Sequence, residues 1–211
     1  MAFIVFEGVD GSGKSTLIRE LVSLLDQRSI SYLVTREPGG TTLAEEIRQL
    51  IIRVDDEVPH PRTELLLYEA ARAQHVEYKI KPALREGKWV ICDRYTASSL
   101  AFQAGGRHIE EVQVQWLNDF ATDQLVPDFW VLLDLPVKQA LQRQMQRYQG
   151  EQEKQDRFER EKADFHQNVR EHFLKQAGLD TSKWIVLDAQ QSPKQLADQL
   201  VNALREKNCL I

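Results

Sequence analysis

Short apolar runs recur along the chain, separated by longer stretches of helical periodicity. The runs are Phe3–Glu7, Ser31–Thr35, Lys88–Asp93, Phe129–Leu135 and Lys183–Asp188. Each is near-continuously apolar, the pattern of strands covered on both faces in a parallel sheet. Their Val, Ile and Trp residues favour strand over helix. Between them, Leu17, Leu21, Leu24 and Leu25 fall on one helical face, as do Leu43, Ile47, Leu50 and Ile51. Val76, Ile80 and Leu84 mark a third stripe, in which Pro82 should kink the helix or begin a new turn. Val112, Trp116, Leu117 and Phe120 mark a fourth, and Leu196, Leu200 and Leu204 the last. All these stripes predict faces turned to the core. Strand and helix in alternation predict a doubly wound α/β fold: a five-stranded parallel sheet, helices on both faces, right-handed crossovers. Ligands bind beyond the carboxyl ends of the strands in such a sheet, which directs attention to residues 7–16, 36–40, 93–99 and 134 onward.

Residues 143–175 break the pattern. They are rich in Gln, Glu, Lys and Arg, with few apolar residues before Phe158. The stretch is too polar for core and predicts either a solvated helical lid, about 143–163, or an exposed helix pair.

The chain of 211 residues predicts a single domain. A composition of 42% hydrophobic and 28% charged residues is that of an ordinary soluble domain. The formal net charge of -5 argues against a broad nucleic-acid-binding surface, as does the lack of interleaved basic and aromatic patches. Cys92 lies inside an apolar run and is expected as a core thiol; with Cys209 it makes no disulfide framework. The chain opens on a strand without a basic leader, and no segment reaches the roughly 18 apolar residues of a membrane span. The expected setting is cytoplasmic, away from membranes.

Gly8-x-x-x-x-Gly13-Lys14-Ser15 matches the P-loop pattern between a predicted strand and helix. The loop Gly8, Val9, Asp10, Gly11, Ser12, Gly13, Lys14, Ser15 and Thr16 predicts a cradle for a nucleoside triphosphate, which the resemblance named below makes the ATP-binding loop. Backbone N–H groups and the helix start hold phosphates, Lys14 reaches the β- and γ-phosphates, and the Ser15 hydroxyl binds Mg²⁺. Asp10 is the anomaly, a carboxylate inside an anion-binding loop. A GTPase would add an Asn-Lys-x-Asp base-reading motif, which does not occur in the sequence. A motor usually needs a longer chain. A small-molecule kinase needs a second anion clamp, and Arg36 in "TREPGGT" and Arg94 in "DRY" stand at adjacent strand ends to make one, with Asp93 near the metal.

With those blocks the sequence resembles the thymidylate kinases. "EGVDGSGKST", "TREPGGT", "LYEAARAQH", "IKPAL", "GKWVICDRY", "SSLAFQAGG", "PDFWVLLDLP", "DRFE" and "LDAQQSP" run in order over nearly the whole chain. The resemblance implies a P-loop nucleoside monophosphate kinase fold and ATP- and Mg²⁺-dependent phosphorylation of dTMP to dTDP by a homodimer. It implies that Arg36 and Arg94 bind the dTMP phosphate, and that Tyr68 stacks on thymine. Arg72, one helical turn on, hydrogen-bonds the base. Ser98, Ser99 and Gln103 line the base pocket, and Phe102 crowds the sugar 2′ carbon. Asp10 turns to the acceptor's 3′-OH. This loop has no basic residue beside Asp10, so the resemblance sends the catalytic charge to lid arginines: Arg143, Arg147 and Arg157. Arg143 has an alternative place on the adenine ring. Arg107 is a further acceptor-side candidate or a plain loop charge. His60, His75, His108, His166 and His172 show no metal-ligand spacing. Another kinase of the same fold, and a nucleotide-binding protein without catalysis, are the alternatives. The intact Lys14, Ser15 and Asp93 set weighs against the second.

Overall fold

The structure is a computed structural model that describes residues 1–54, 57–150, 157–207 and 209, the side chains of 147–150 excepted. The elements in chain order are β1 (Phe3–Glu7), α1 (Lys14–Gln27), β2 (Tyr32–Arg36), α2 (Thr42–Ile52), α3 (Pro61–His75), α4 (Lys81–Arg85), β3 (Trp89–Asp93) and α5 (Thr96–Ser99). They continue with α6 (Glu111–Thr122), β4 (Phe129–Asp134), α7 (Val137–Gly150), α8 (Ala163–Leu179), β5 (Trp184–Asp188) and α9 (Pro193–Glu206). Wide π-helical turns, Val76–Ile80 and Leu100–Gly106, join α3 to α4 and extend α5. Pro82 lies in the first turn of α4, directly after the π-helical turn, so the proline marks a change of helix type, one of the two outcomes expected.

Among the described residues the strands form one parallel sheet in the order β2-β3-β1-β4-β5. β1 lies between β3 and β4, with Phe6 opposite Asp93 and Glu7 opposite Leu132. The order reverses at β1, so the crevice beyond its carboxyl end is the switch point of the sheet. Both Gly8–Gly13 and Asp93–Tyr95 open onto it.

The expectation that every strand is covered on both faces holds for the middle of the sheet. The edges differ. β2 leaves Val34 exposed and β5 leaves Val186 exposed, because a helix layer covers the rims less completely. The stripes of α1 and α9 turn inward: Leu17, Leu21 and Leu25 are buried, as are Leu196, Leu200 and Leu204. α9 is held at its start by a capping box between Ser192 and Gln195, worth about 1 kcal/mol.

Two helices correct the reading. In α6 the stripe Val112, Trp116 and Phe120 faces outward, at 65–75% exposure, while Val114, Asn118, Ala121 and Thr122 face the core. In α2, Leu43 and Leu50 are exposed and Ala44 and Ile51 are buried. Periodicity identifies an apolar face but not what covers it, and among the described residues nothing covers these. The polar stretch 143–175 is corrected too. Its second half enters α8, whose Phe165, Val169 and Phe173 join the main core. Cys92 is fully buried in β3, as expected. Among the described residues no helix is long and apolar enough to cross a membrane.

Candidate active site

The turn from β1 into α1 is made of backbone. Gly8, at φ 136°, passes so close to β4 that a Cβ there would lie 2.6 Å from the Leu133 carbonyl oxygen. Gly13, at φ 99°, caps α1 in the left-handed region, where a side chain is strained. Together they turn the loop so that the first-turn N–H groups of α1 open on the crevice, as anion binding requires. Lys14 lies at the start of that helix. Its ammonium donates to the carbonyls of Gly8 (3.2 Å) and Val9 (3.5 Å). Burial lowers its pKa, helped by Arg94 and opposed by Asp93, Asp10 and Glu7. Gly11, Gly13, Lys14, Ser15, Thr16, Arg36, Asp93 and Arg94 line one cavity with Asp10. Val9 is buried behind the loop, and the Ser12 hydroxyl is buried with no hydrogen-bond partner among the described residues. Asp93 Oδ1 is likewise buried and unpartnered.

A second cavity adjoins the first and shares Asp10, Glu37, Arg48 and Arg94 with it. Its walls are Tyr68, Phe102 and Phe158, with Arg72, Ser98 and Gln103. The rings stand edge to face, Tyr68 6.1 Å and Phe102 5.9 Å from Phe158. Arg72 is almost wholly buried. Its Nε donates to Glu37 (2.7 Å), Nη1 to Glu69 (2.6 Å) and Asn118 (2.7 Å), and Nη2 to the Tyr95 carbonyl (3.1 Å). Burial disfavours its charge, but Glu69 and Glu37 outweigh that and raise its pKa. Ser99 stands behind Arg72, accepting from Nη1 at 3.0 Å, and is not on the cavity wall.

Asp10 and Arg94 sit at the seam. Arg94 Nη2 donates to Asp10 Oδ1 at 2.6 Å, and Lys14 Nζ is 3.8 Å from the same oxygen. Burial would push the Asp10 carboxyl up; Arg94 and Lys14 outweigh it and hold it well below the usual carboxylate range. Arg94, backbone φ 71°, also lies 4.9 Å above the Phe102 ring and donates to Ser98.

The remaining expected residues are spread out. Arg36 is half exposed and pairs with Glu45 at 2.8 Å. Arg143 bridges the Gly11 carbonyl (3.3 Å) and the Ala189 carbonyl (2.9 Å), beside the loop. The side chain of Arg147 lies outside the described residues, as does part of the 143–163 segment. Arg157 lies behind the second cavity, against its wall residue Phe158 and off the wall itself. It donates to the Ile51 carbonyl (3.2 Å), pairs with Glu64 (2.7 Å) and lies 4.6 Å over the Phe158 ring. Arg107 pairs with Glu64 and Glu161.

A family model for thymidylate kinase matches residues 6–200. The chain belongs to the thymidylate kinase family. A thymidylate kinase of Bdellovibrio bacteriovorus is 53% identical over 210 residues, covering 100% of this chain and 98% of that protein. One of Lactobacillus acidophilus is 45% identical, covering 97% of this chain and 94% of that protein. The crystal structure of thymidylate kinase from Ehrlichia chaffeensis superposes with a TM-score of 0.73 at 29% identity, over 96% of this chain and 98% of that one. The doubly wound sheet is therefore that of the P-loop nucleoside monophosphate kinases. The chain is an enzyme, a thymidylate kinase that phosphorylates dTMP to dTDP.

Sequence reasoning missed several residues of this thymidylate kinase site. Glu7 ends β1 fully buried and accepts from Tyr95 N–H (3.0 Å), Ser98 N–H (3.2 Å) and the Ser98 hydroxyl (2.6 Å). Burial pushes it up to about 7, against the pull of Arg94 and Ser98. An acid closing an otherwise apolar strand was the available signal. Glu37, Glu64 and Arg48 gave none, since charges on loops and helices usually read as solvated surface.

Proposed function

We propose that the enzyme transfers the γ-phosphoryl group of ATP, with Mg²⁺, to dTMP, each nucleotide in one of the two adjoining cavities. The observation that carries this is the seam. Asp10 and Arg94 line both cavities, so a donor held on the P-loop and an acceptor held on Arg94 meet there. Backbone N–H groups of Gly8–Thr16 hold the donor phosphates, and Lys14 follows the charge of the γ-phosphate. Ser15 and Asp93 fit Mg²⁺: both line the donor cavity, and Asp93 presents a buried oxygen with no protein partner among the described residues. When bound, the ion supplies charge neutralisation at the β- and γ-oxygens. Arg94 and Arg36 hold the acceptor phosphate, Arg36 by leaving its surface pair with Glu45. An acceptor phosphate oxygen attacks the γ-phosphorus in line, the β–γ bridge bond breaks, and ADP leaves. No base is needed, because that oxygen already carries charge. The protein's task is positioning and neutralising repulsion between polyanions.

The acceptor base fits between Tyr68, Phe102 and Phe158. Arg72 offers a donor and Gln103 an acceptor to a base edge with a carbonyl beside a ring N–H, as in thymine. Phe102 keeps the sugar 2′ side apolar. Asp10 accepts from the 3′-OH. Arg143, tied to the P-loop and to Ala189, serves the donor's adenine side, and the 143–163 segment closes over the site and limits water. Arg147 and Arg157 complete its charge.

The same reading includes a cytoplasmic homodimer. The outward stripe of α6, with Trp116 and Phe120 stacked at 5.8 Å, adjoins exposed Leu66 of α3. An apolar face of this kind suits a second copy. Trp116→Glu is expected to shift the species in light scattering from dimer to monomer. The activity is tested by coupled ADP release with dTMP, dUMP, dCMP, dAMP and dGMP, with and without chelator. A kcat/KM that does not favour dTMP refutes the acceptor assignment.

A further inference from the structure

Glu64, near the start of α3, has a fully buried carboxylate surrounded by Gln103 and Arg107 from the Leu100–Gly106 turn and its end, and by Arg157 from a separate segment. Gln103 Nε2 donates to its Oε1 at 2.8 Å. Arg107 Nε donates to both oxygens, at 3.3 and 3.2 Å. The Arg157 guanidinium lies 2.7 Å from Oε2, and Arg107 and Arg157 are only 14% and 10% exposed. Glu64 is not on the cavity wall; Gln103 is.

We propose that Glu64 is a positioning residue: it fixes the Gln103 amide so that the pocket demands a ring N–H from the acceptor base, and it ties that setting to Arg157. This rests on the reading of the aromatic cavity as the acceptor-base site. A glutamine side chain has two nearly isosteric orientations with opposite meanings. With its NH₂ on Glu64, the polar group left for the pocket is the carbonyl oxygen. Thymine's N3–H complements that oxygen, while its C4 carbonyl takes the remaining donor of Arg72. Cytosine would set a lone pair against the oxygen and an amine against the guanidinium. Flipping Gln103 would rescue cytosine, but a carboxylate between two guanidinium groups accepts and does not donate, so the flip would put two acceptors face to face. A buried mismatch of that kind is what gives polar sites their large discrimination.

The consequence extends to the 157–161 segment. Arg157 and Arg107 flank the Phe158 ring at 4.6 and 5.7 Å, and Phe158 completes the aromatic wall. The carboxylate that orients Gln103 therefore also places Phe158 over the same base.

The test is E64Q. An amide at position 64 can donate to Gln103, so both orientations become available. The preference for dTMP over dCMP in kcat/KM is expected to fall at least about tenfold, mostly through KM for dTMP, with KM for ATP within about twofold. E64D, which still only accepts, should keep the preference while weakening dTMP. A loss of thermal stability in E64Q with the preference intact overturns the proposal and leaves Glu64 a structural residue. Should E64Q not fold, Q103E decides. It still offers an oxygen to the base but sets one carboxylate against another, so dTMP affinity should drop more than about tenfold. Affinity kept within about twofold overturns the proposal. Absence of any dTMP preference in the unsubstituted enzyme would instead refute the reading of the cavity itself.

Discussion

The two cavities are built by different means. The loop that we assign to the donor is a main-chain device: glycines, the start of α1, one lysine, and the Ser12 hydroxyl and Asp93 Oδ1 with no hydrogen-bond partner among the described residues. The wall that we assign to the acceptor is a side-chain device: Arg72 is hydrogen-bonded to Glu37, Glu69, Ser99, Asn118 and the Tyr95 carbonyl. The difference follows the chemistry to be read. Phosphate asks only for N–H groups and charge, which any backbone can supply. A base edge asks for donors and acceptors in a set order, and only side chains locked by their neighbours hold one.

Damage should therefore spread differently from each. Arg72→Met removes a charged partner from two buried carboxylates at once, leaving Glu37 only His75, and is expected to cost about 3–5 kcal/mol of folding stability. dTMP binding should be lost as well. Urea unfolding and dTMP titration measure the two effects, and unchanged stability would show that the wall does not depend on this guanidinium. Lys14→Ala should do the opposite, lowering turnover about 10²- to 10³-fold. The fold and the dTMP affinity should change little, as read by unfolding and by titration without ATP.

Glu7 belongs to the scaffold behind both cavities and gives the comparison a pH handle. Its carboxyl titrates near 7 in the fold against an ordinary 4.5. Between those values the folded chain holds a proton that the unfolded chain has released, so stability falls as pH rises from about 4.5 through 7 and levels above it. At about 1.4 kcal/mol per pKa unit the full fall is about 3 kcal/mol. Glu7→Gln mimics the protonated form, keeping an acceptor for the Tyr95 and Ser98 N–H groups. It should flatten this part of the profile and be more stable than the parent at pH 8. A fall of unchanged size in the variant would place the titration elsewhere.

Much of this was legible in the chain because the information was local. The P-loop occupies nine consecutive residues, and the strands announce themselves as runs. The order of the sheet is less local: right-handed crossovers limit the possible orders without choosing β2-β3-β1-β4-β5. The acceptor wall was legible only where a family block named it, as at Tyr68 and Arg72. Glu37 and Asn118 stand 35 and 46 residues from Arg72, and Glu64 stands 39 from Gln103, and a lone acid carries no mark of burial. α6 failed for a related reason: periodicity reports that a face is apolar, not whether this chain or another covers it.

Asp10 is where the two constructions meet, and its substitution is the finest test of their separation. The carboxylate sits inside the donor loop but is held ionised by Arg94 and Lys14, so it does not simply oppose the donor's charge. It is one member of a compensated cluster. If its function is to accept from the acceptor's 3′-OH and to steer Arg94, Asp10→Asn removes one charged hydrogen bond and leaves the backbone cradle untouched. Such a bond is worth about 1.5–3 kcal/mol, so kcat/KM for dTMP should drop about 10- to 100-fold. KM for ATP should stay within about twofold. A 3′-deoxy analogue of dTMP sharpens the case. The unsubstituted enzyme should use it as poorly as Asp10→Asn uses dTMP, and the variant should no longer distinguish the two acceptors. If Asp10→Asn instead weakens ATP and spares dTMP, the residue belongs to the donor side and the seam lies elsewhere.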